Sequence, residues 1–135
     1  MFLWNFSQNS IQIQGLSSHG CGTHSWGVDE TKTTPNFSNI PDSHLSSLGK
    51  FRIGKRGWSN WGIHVNYKLH GLENSNNNAY KRVIVLHSWE AIENKETFPL
   101  GTPEGWGCPA VNNKIMKELD KVLIKEQTAL LWVYK

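Results

Sequence analysis

Polar and apolar residues alternate with period two in three places along the chain: Ser10–Gly15, Lys50–Gly54 and Gly62–Leu69. That period puts successive side chains on opposite faces and predicts half-buried strands. In the third segment Ile63, Val65, Tyr67 and Leu69 share one face, and His64, Asn66, Lys68 and His70 the other. Val83–Leu86 is apolar without interruption, the pattern of a central strand covered on both sides. Ala129–Tyr134 predicts a last strand. Only Asn113–Lys125 carries the helical period, with Ile115, Met116, Leu119, Val122 and Leu123 on one stripe and Asn112 or Asn113 as N-cap. The pattern predicts a mainly β, α+β fold with one main helix.

Between these elements, Gly20–Asn39 reads as a long irregular connection, Asn74–Asn78 as a polar turn, and Lys95–Pro103 as a rim or lid. With 135 residues, the stretch 1–135 makes one domain. Only 38% of residues are hydrophobic, so the seven Trp, five Phe and three Tyr must supply much of the core. A net charge of +3, with Lys50, Arg52, Lys55 and Arg56 close together, reads as a solvated strand face that is secondarily attractive to an anionic wall. No long basic run suggests a nucleic-acid groove, and no stretch has the length of a membrane span. Met1–Phe6 is apolar but lacks the basic start and long apolar core of a signal peptide.

The candidate chemistry lies in Gly105-Trp106-Gly107-Cys108-Pro109-Ala110. A cysteine between glycine and proline sits on a turn, where backbone N–H groups can gather around the sulfur. His87 follows the apolar run Val83–Leu86 and can face that turn. A thiol has a pKa of about 8.5, so it needs a neighbouring base, and thiol plus imidazole is the minimum for a cysteine nucleophile. The N–H groups of Gly107 and Cys108 are candidate oxyanion donors, since Pro109 has none. His70, before Gly71, is the competing base; His87 is preferred, with His70 lining the pocket. A rival from another class is a zinc site on His19, Cys21 and His24, three candidate ligands within six residues.

Four stretches in order resemble the L,D-transpeptidase catalytic-domain family, the YkuD-like murein cross-linking enzymes. They are Phe37-Ser38-Asn39 leading to Ser46–Gly49, Leu69–Glu73 with Asn76 and Ala79, Arg82–His87, and Trp106–Ala110. The match is to the branch whose nucleophile lies in Gly-Cys-Pro-Ala; Gly105 stands where that branch tends to have Ser. The resemblance implies a β-sandwich or barrel and thioester chemistry on Cys108 with peptidoglycan tetrapeptide stems as partner. It also implies that the backbone carbonyl of Ser88 holds the His87 ring, that Trp106 and His19 border the cleft, and that Arg82 serves structure or a substrate carboxylate. It further implies a periplasmic or otherwise extracytoplasmic location. We expect a monomer with no cofactor, no resident metal, no nucleic-acid partner and no membrane insertion. Alternatives in the same frame are L,D-carboxypeptidase trimming and a non-catalytic wall-binding β-domain.

Overall fold

In the computed structural model, which describes residues 1–24, 34–126 and 128–135, the alternating segments pair into two sheets. Strands β1 (Phe2–Asn5) and β2 (Ser10–Gln14) form a hairpin. Five strands make the main sheet: β3 (Gly49–Trp58), β4 (Val65–Gly71), β5 (Val85–Ser88), β6 (Ala110–Val111) and β7 (Leu130–Val133). Their order is β6-β5-β4-β3-β7, with β5 and β6 parallel and the other neighbours antiparallel. Helix α1 (Asn113–Leu123) follows β6 directly, and Asn112 caps it by accepting from the Lys114 N–H. The molecule is therefore mainly β with one helix among the described residues, as the pattern predicts.

Register decides which side chains share a face. Arg52 opposes His70, Lys68 opposes Val85, and Asn66 opposes His87. The face carrying Phe51, Val65, Tyr67, Leu69 and Leu86 packs into one core with Ile115, Met116, Leu119 and Leu123 of α1. Each such side chain, fully buried, contributes about 1.5–3 kcal/mol. A polar tie runs along the same face: Arg56 makes two hydrogen bonds to Asp120, at 2.8 and 3.0 Å, and the Tyr67 hydroxyl donates to Asp120 at 2.6 Å. The opposite face carries Lys50, Arg52, Lys68, His70 and His87.

The structure corrects three expectations. The strand predicted at Val83–Leu86 is β5, Val85–Ser88. Val83 is 65% exposed, with φ of 57°, and its N–H closes a turn onto the Tyr80 carbonyl. A turn takes up the first half of the apolar run, so His87 lies within the strand and not after it. The strand predicted from Gly62 begins at Val65, because Gly62 and His64 both have positive φ and turn the chain. Phe2–Asn5, given no element above, is a strand. The region 20–39 lies partly outside the described residues.

Asp120 links sheet and helix electrostatically. The Arg56 guanidinium first, then the Tyr67 hydroxyl, hold its carboxyl below the ordinary 3.8. A depressed folded pKa gives stability that is present above the unfolded value and lost as pH falls through the folded one. Denaturant unfolding of Asp120→Asn at pH 7 and below pH 3.8 should therefore show a deficit at neutral pH that closes in acid. A deficit of equal size at both would show that the charge contributes nothing.

Candidate active site

The segment from Glu104 to Val111 is fastened on both sides by main-chain bonds. On one side the Gly105 N–H donates to the His19 carbonyl and the Cys21 N–H to the Gly105 carbonyl, both at 2.8 Å. The Ser18 N–H reaches the Ala110 carbonyl at 2.9 Å, and the Ala110 N–H reaches Ser18 Oγ at 3.2 Å. On the other side His87 N–H donates to the Pro109 carbonyl and Trp89 N–H to the Val111 carbonyl, at 3.3 and 2.9 Å. Ser46 Oγ, donating to the Gly107 carbonyl at 3.4 Å and accepting from the Gly20 N–H at 3.1 Å, ties the inner end.

Gly107 is required by geometry. Its φ is 92°, and a Cβ there would fall 2.6 Å from the Leu45 carbonyl oxygen and 3.4 Å from Arg82 Nη2. The turn it permits drives Cys108 towards β5. His87 pairs with Ala110 in the parallel ladder, so the same register carried back two residues sets Cys108 beside Val85. The contacts agree: the Val85 N–H donates to Sγ at 3.5 Å, and the thiol faces the Val83 carbonyl at 3.8 Å.

The His87 ring is fixed by its Nδ1, 3.0 Å from the Ser88 carbonyl. A carbonyl only accepts, so Nδ1 carries the proton and neutral His87 presents a bare Nε2. The Ser88 side chain points to the buried face and accepts from the Ile63 N–H at 3.0 Å. Burial pushes the Cys108 thiol up, with the Val85 N–H and then the Arg82 guanidinium pulling the other way. Burial also pushes His87 down, against the Ser88 hydrogen bond. Both shifts favour uncharged thiol and uncharged imidazole, not the resting ion pair. Donors for an oxyanion narrow by elimination. The Gly105 and Ala110 N–H groups are taken and Pro109 has none, while among the described residues no acceptor faces those of Gly107 or Cys108.

Arg82 borders the same spot. Its Nη1 donates to the Ser38 carbonyl at 2.9 Å and to Ser47 Oγ at 2.7 Å, and its Nη2 to Ser43 Oγ at 3.2 Å and the Leu45 carbonyl at 2.6 Å. Four protein acceptors occupy the fork, which makes it a clamp on residues 38–47. Trp106 is 60% exposed and stacks on His44, ring centroids 4.8 Å apart. His70 is not brought to Cys108: it stacks on Tyr80 at 4.8 Å and lies over Gly54, where a Cβ would meet its Nε2 at 2.5 Å.

His19 sits at the far end of the nucleophile segment, its Nε2 3.4 Å from Oε1 of Glu104. Glu104 is fully buried, and neither carboxylate oxygen nor His19 Nδ1 has a hydrogen-bond partner. Sequence reading missed Glu104, because an acid between Pro and Gly in a loop carries the signature of solvent exposure. The zinc alternative finds no cluster: Cys21 is buried with its thiol turned to the Gly22 carbonyl at 3.8 Å, and no three His, Cys, Asp or Glu side chains gather to hold a metal among the described residues. Both cysteines are free thiols.

Comparison with known proteins adds one finding. A family model described as L,D-transpeptidase catalytic domain matches residues 1–134. No curated protein and no solved structure matches the chain.

Two outcomes test this geometry. Alkylation of Cys108 by iodoacetamide should climb steadily towards alkaline pH, with no plateau between pH 6 and 8; such a plateau would reveal a resting thiolate–imidazolium pair. Arg82→Lys keeps the charge but loses the fork, and should lower unfolding stability in urea by about 1–3 kcal/mol. An unchanged transition would show that the clamp is dispensable.

Proposed function

The chain belongs to the L,D-transpeptidase catalytic-domain family, and from that premise we propose that Cys108 forms a thioester with peptidoglycan stem peptides. The observation that carries this reading is the fixed imidazole. The Ser88 carbonyl leaves Nε2 of His87 free to accept a proton, and the Cys108 thiol is held at Val85, two residues before His87 on the same strand.

In the proposed reaction Sγ leaves its contact with the Val83 carbonyl and attacks the carbonyl at the L-centre of the stem's diamino acid. Because both groups rest uncharged, His87 Nε2 takes the thiol proton as the C–S bond forms, not beforehand. The oxygen that becomes negative is met by the N–H groups of Gly107 and Cys108. Collapse expels the terminal D-alanine, whose nitrogen takes the proton back from His87, and leaves the thioester. An amine of a second stem then attacks the thioester, gives its proton to His87, and restores the Cys108 thiol. Water in place of the amine gives trimming by the same route. Trp106 and His44 wall the entrance, His70 contacts substrate farther out along β4, and His19 with Glu104 supports the nucleophile segment. Arg82 acts through position, since its donors are spent on the protein.

We propose that the reaction runs in a monomer and without a cofactor. We assign it to the periplasm or another extracytoplasmic location, where enzymes of this family usually act. No helix among the described residues is long and apolar enough to cross a membrane.

Intact-mass measurement after incubation with a tetrapeptide stem, and separately with a carbapenem, tests the reading. The wild-type protein should gain one acyl adduct, Cys108→Ala none, and His87→Gln should acylate about 10²–10⁴-fold more slowly. A folded, reduced wild-type protein that gains no adduct from either compound would overturn the catalytic reading in favour of wall binding.

A further inference from the structure

The sheet face that holds His87 is open over most of its width. Loops roof it near β5, where the turn before that strand and residues 38–47 meet at Arg82. Towards β7 it is uncovered. Lys50 pairs with Trp132 and Arg52 with Leu130 across β3 and β7, and all four side chains are exposed. Lys50 Nζ lies 5.0 Å from the Trp132 ring centroid, and Lys68 Nζ lies 5.6 Å from that of Tyr80, which itself stacks on His70. The Arg52 and Lys68 charges also push His70 down, though less than burial does. Aromatic rings and cations thus interleave across three strand steps, roughly 14 Å from β7 to β5. The carboxylate of Glu73, at the margin of this face, is directed to the Lys50 backbone N–H at 3.1 Å and does not neutralise the Lys50 or Arg52 side chain.

A solvated strand face needs charge but not exposed aromatic rings beside it. Rings flat enough to stack on sugars, set among cations that meet carboxylates, fit a polymer carrying both. Building on the proposed reaction, we propose that this face is a second binding site, for the glycan strand and stem carboxylates of intact peptidoglycan. Sugars lie on Trp132 and Tyr80, carboxylates on Lys50, Arg52 and Lys68, and the strand leads towards His87. The face gives the protein a grip on the polymer that a free stem peptide does not use.

Co-sedimentation with purified peptidoglycan sacculi tests it, using the whole chain in a Cys108→Ala background so that chemistry does not alter binding. The paired change Lys50→Glu with Arg52→Glu should weaken sedimentation at least tenfold, and Trp132→Ala several-fold. The paired variant should also lose the dependence of binding on salt. Circular dichroism confirms that each variant is folded; Arg52→Gln replaces any that is not. Sedimentation unchanged in both the paired variant and Trp132→Ala overturns the proposal. Equal retention of the unaltered face on polyglutamate would show a generic polyanion surface and also overturn it. The acyl-adduct measurement is separate: a chain that sediments through this face but forms no adduct keeps this site and loses the catalytic reading.

Discussion

The Arg82 guanidinium, partly withdrawn from water and held by four oxygens at once, joins the turn before β5 to residues 38–47. The cation sits beside Gly107, whose positive φ lets the chain pass under the Leu45 carbonyl. That passage in turn aims Cys108 at β5. Desolvation lowers the Arg82 pKa from its usual value without bringing it near neutrality, so the clamp stays charged across the physiological range. Nucleophile, turn and roof are one mechanical unit, and a charge-assisted fork is the part that cannot be replaced by packing alone.

Electrostatics near the thiol follow from the same burial. A thiolate held permanently beside an imidazolium would be open to oxidation at rest. Here the low-dielectric surroundings keep both partners neutral, and the Val85 N–H and Val83 carbonyl give the thiol a resting place in the main chain. Reactivity then depends on a substrate carbonyl arriving to receive the sulfur. Glu104 poses the opposite case: a carboxyl taken wholly from water and facing His19. Its burial is costly unless the pair shares charge or a proton, and it lies three residues ahead of the turn at Gly107.

Legibility in the sequence tracked how local the cause was. Val65, Tyr67 and Leu69 announced β4 because alternation is a property of neighbours, and α1 with its Asn112 cap was readable for the same reason. The run Val83–Leu86 misled, since four apolar residues cannot say whether they face a sheet or close a turn; Ile84 is buried while Val83 is not. Cys108 and His87 were visible as residue types between turn signals. That their segments run side by side was not, because it depends on a parallel pairing between stretches more than twenty positions apart. The cations Lys50, Arg52 and Lys68 were legible as a polar strand face; that Trp132 and Tyr80 lie among them was not, because it depends on register and on a loop.

The pairing of Gly49 with Val133 across β3 and β7 has a consequence for the order of assembly. Local contacts can raise β3 and β4 early, because a short turn joins them. The outer edge of β3 must wait until almost all the remaining chain, including the nucleophile segment and α1, has been synthesised. Loop-closure entropy delays that step. Until it occurs, Gly49–Arg52 offers unpaired N–H and C=O groups to any extended neighbour, and the lysine and arginine there repel a second copy of the same edge. The cations that grip a polymer in the finished protein guard a nascent sheet in the unfinished one.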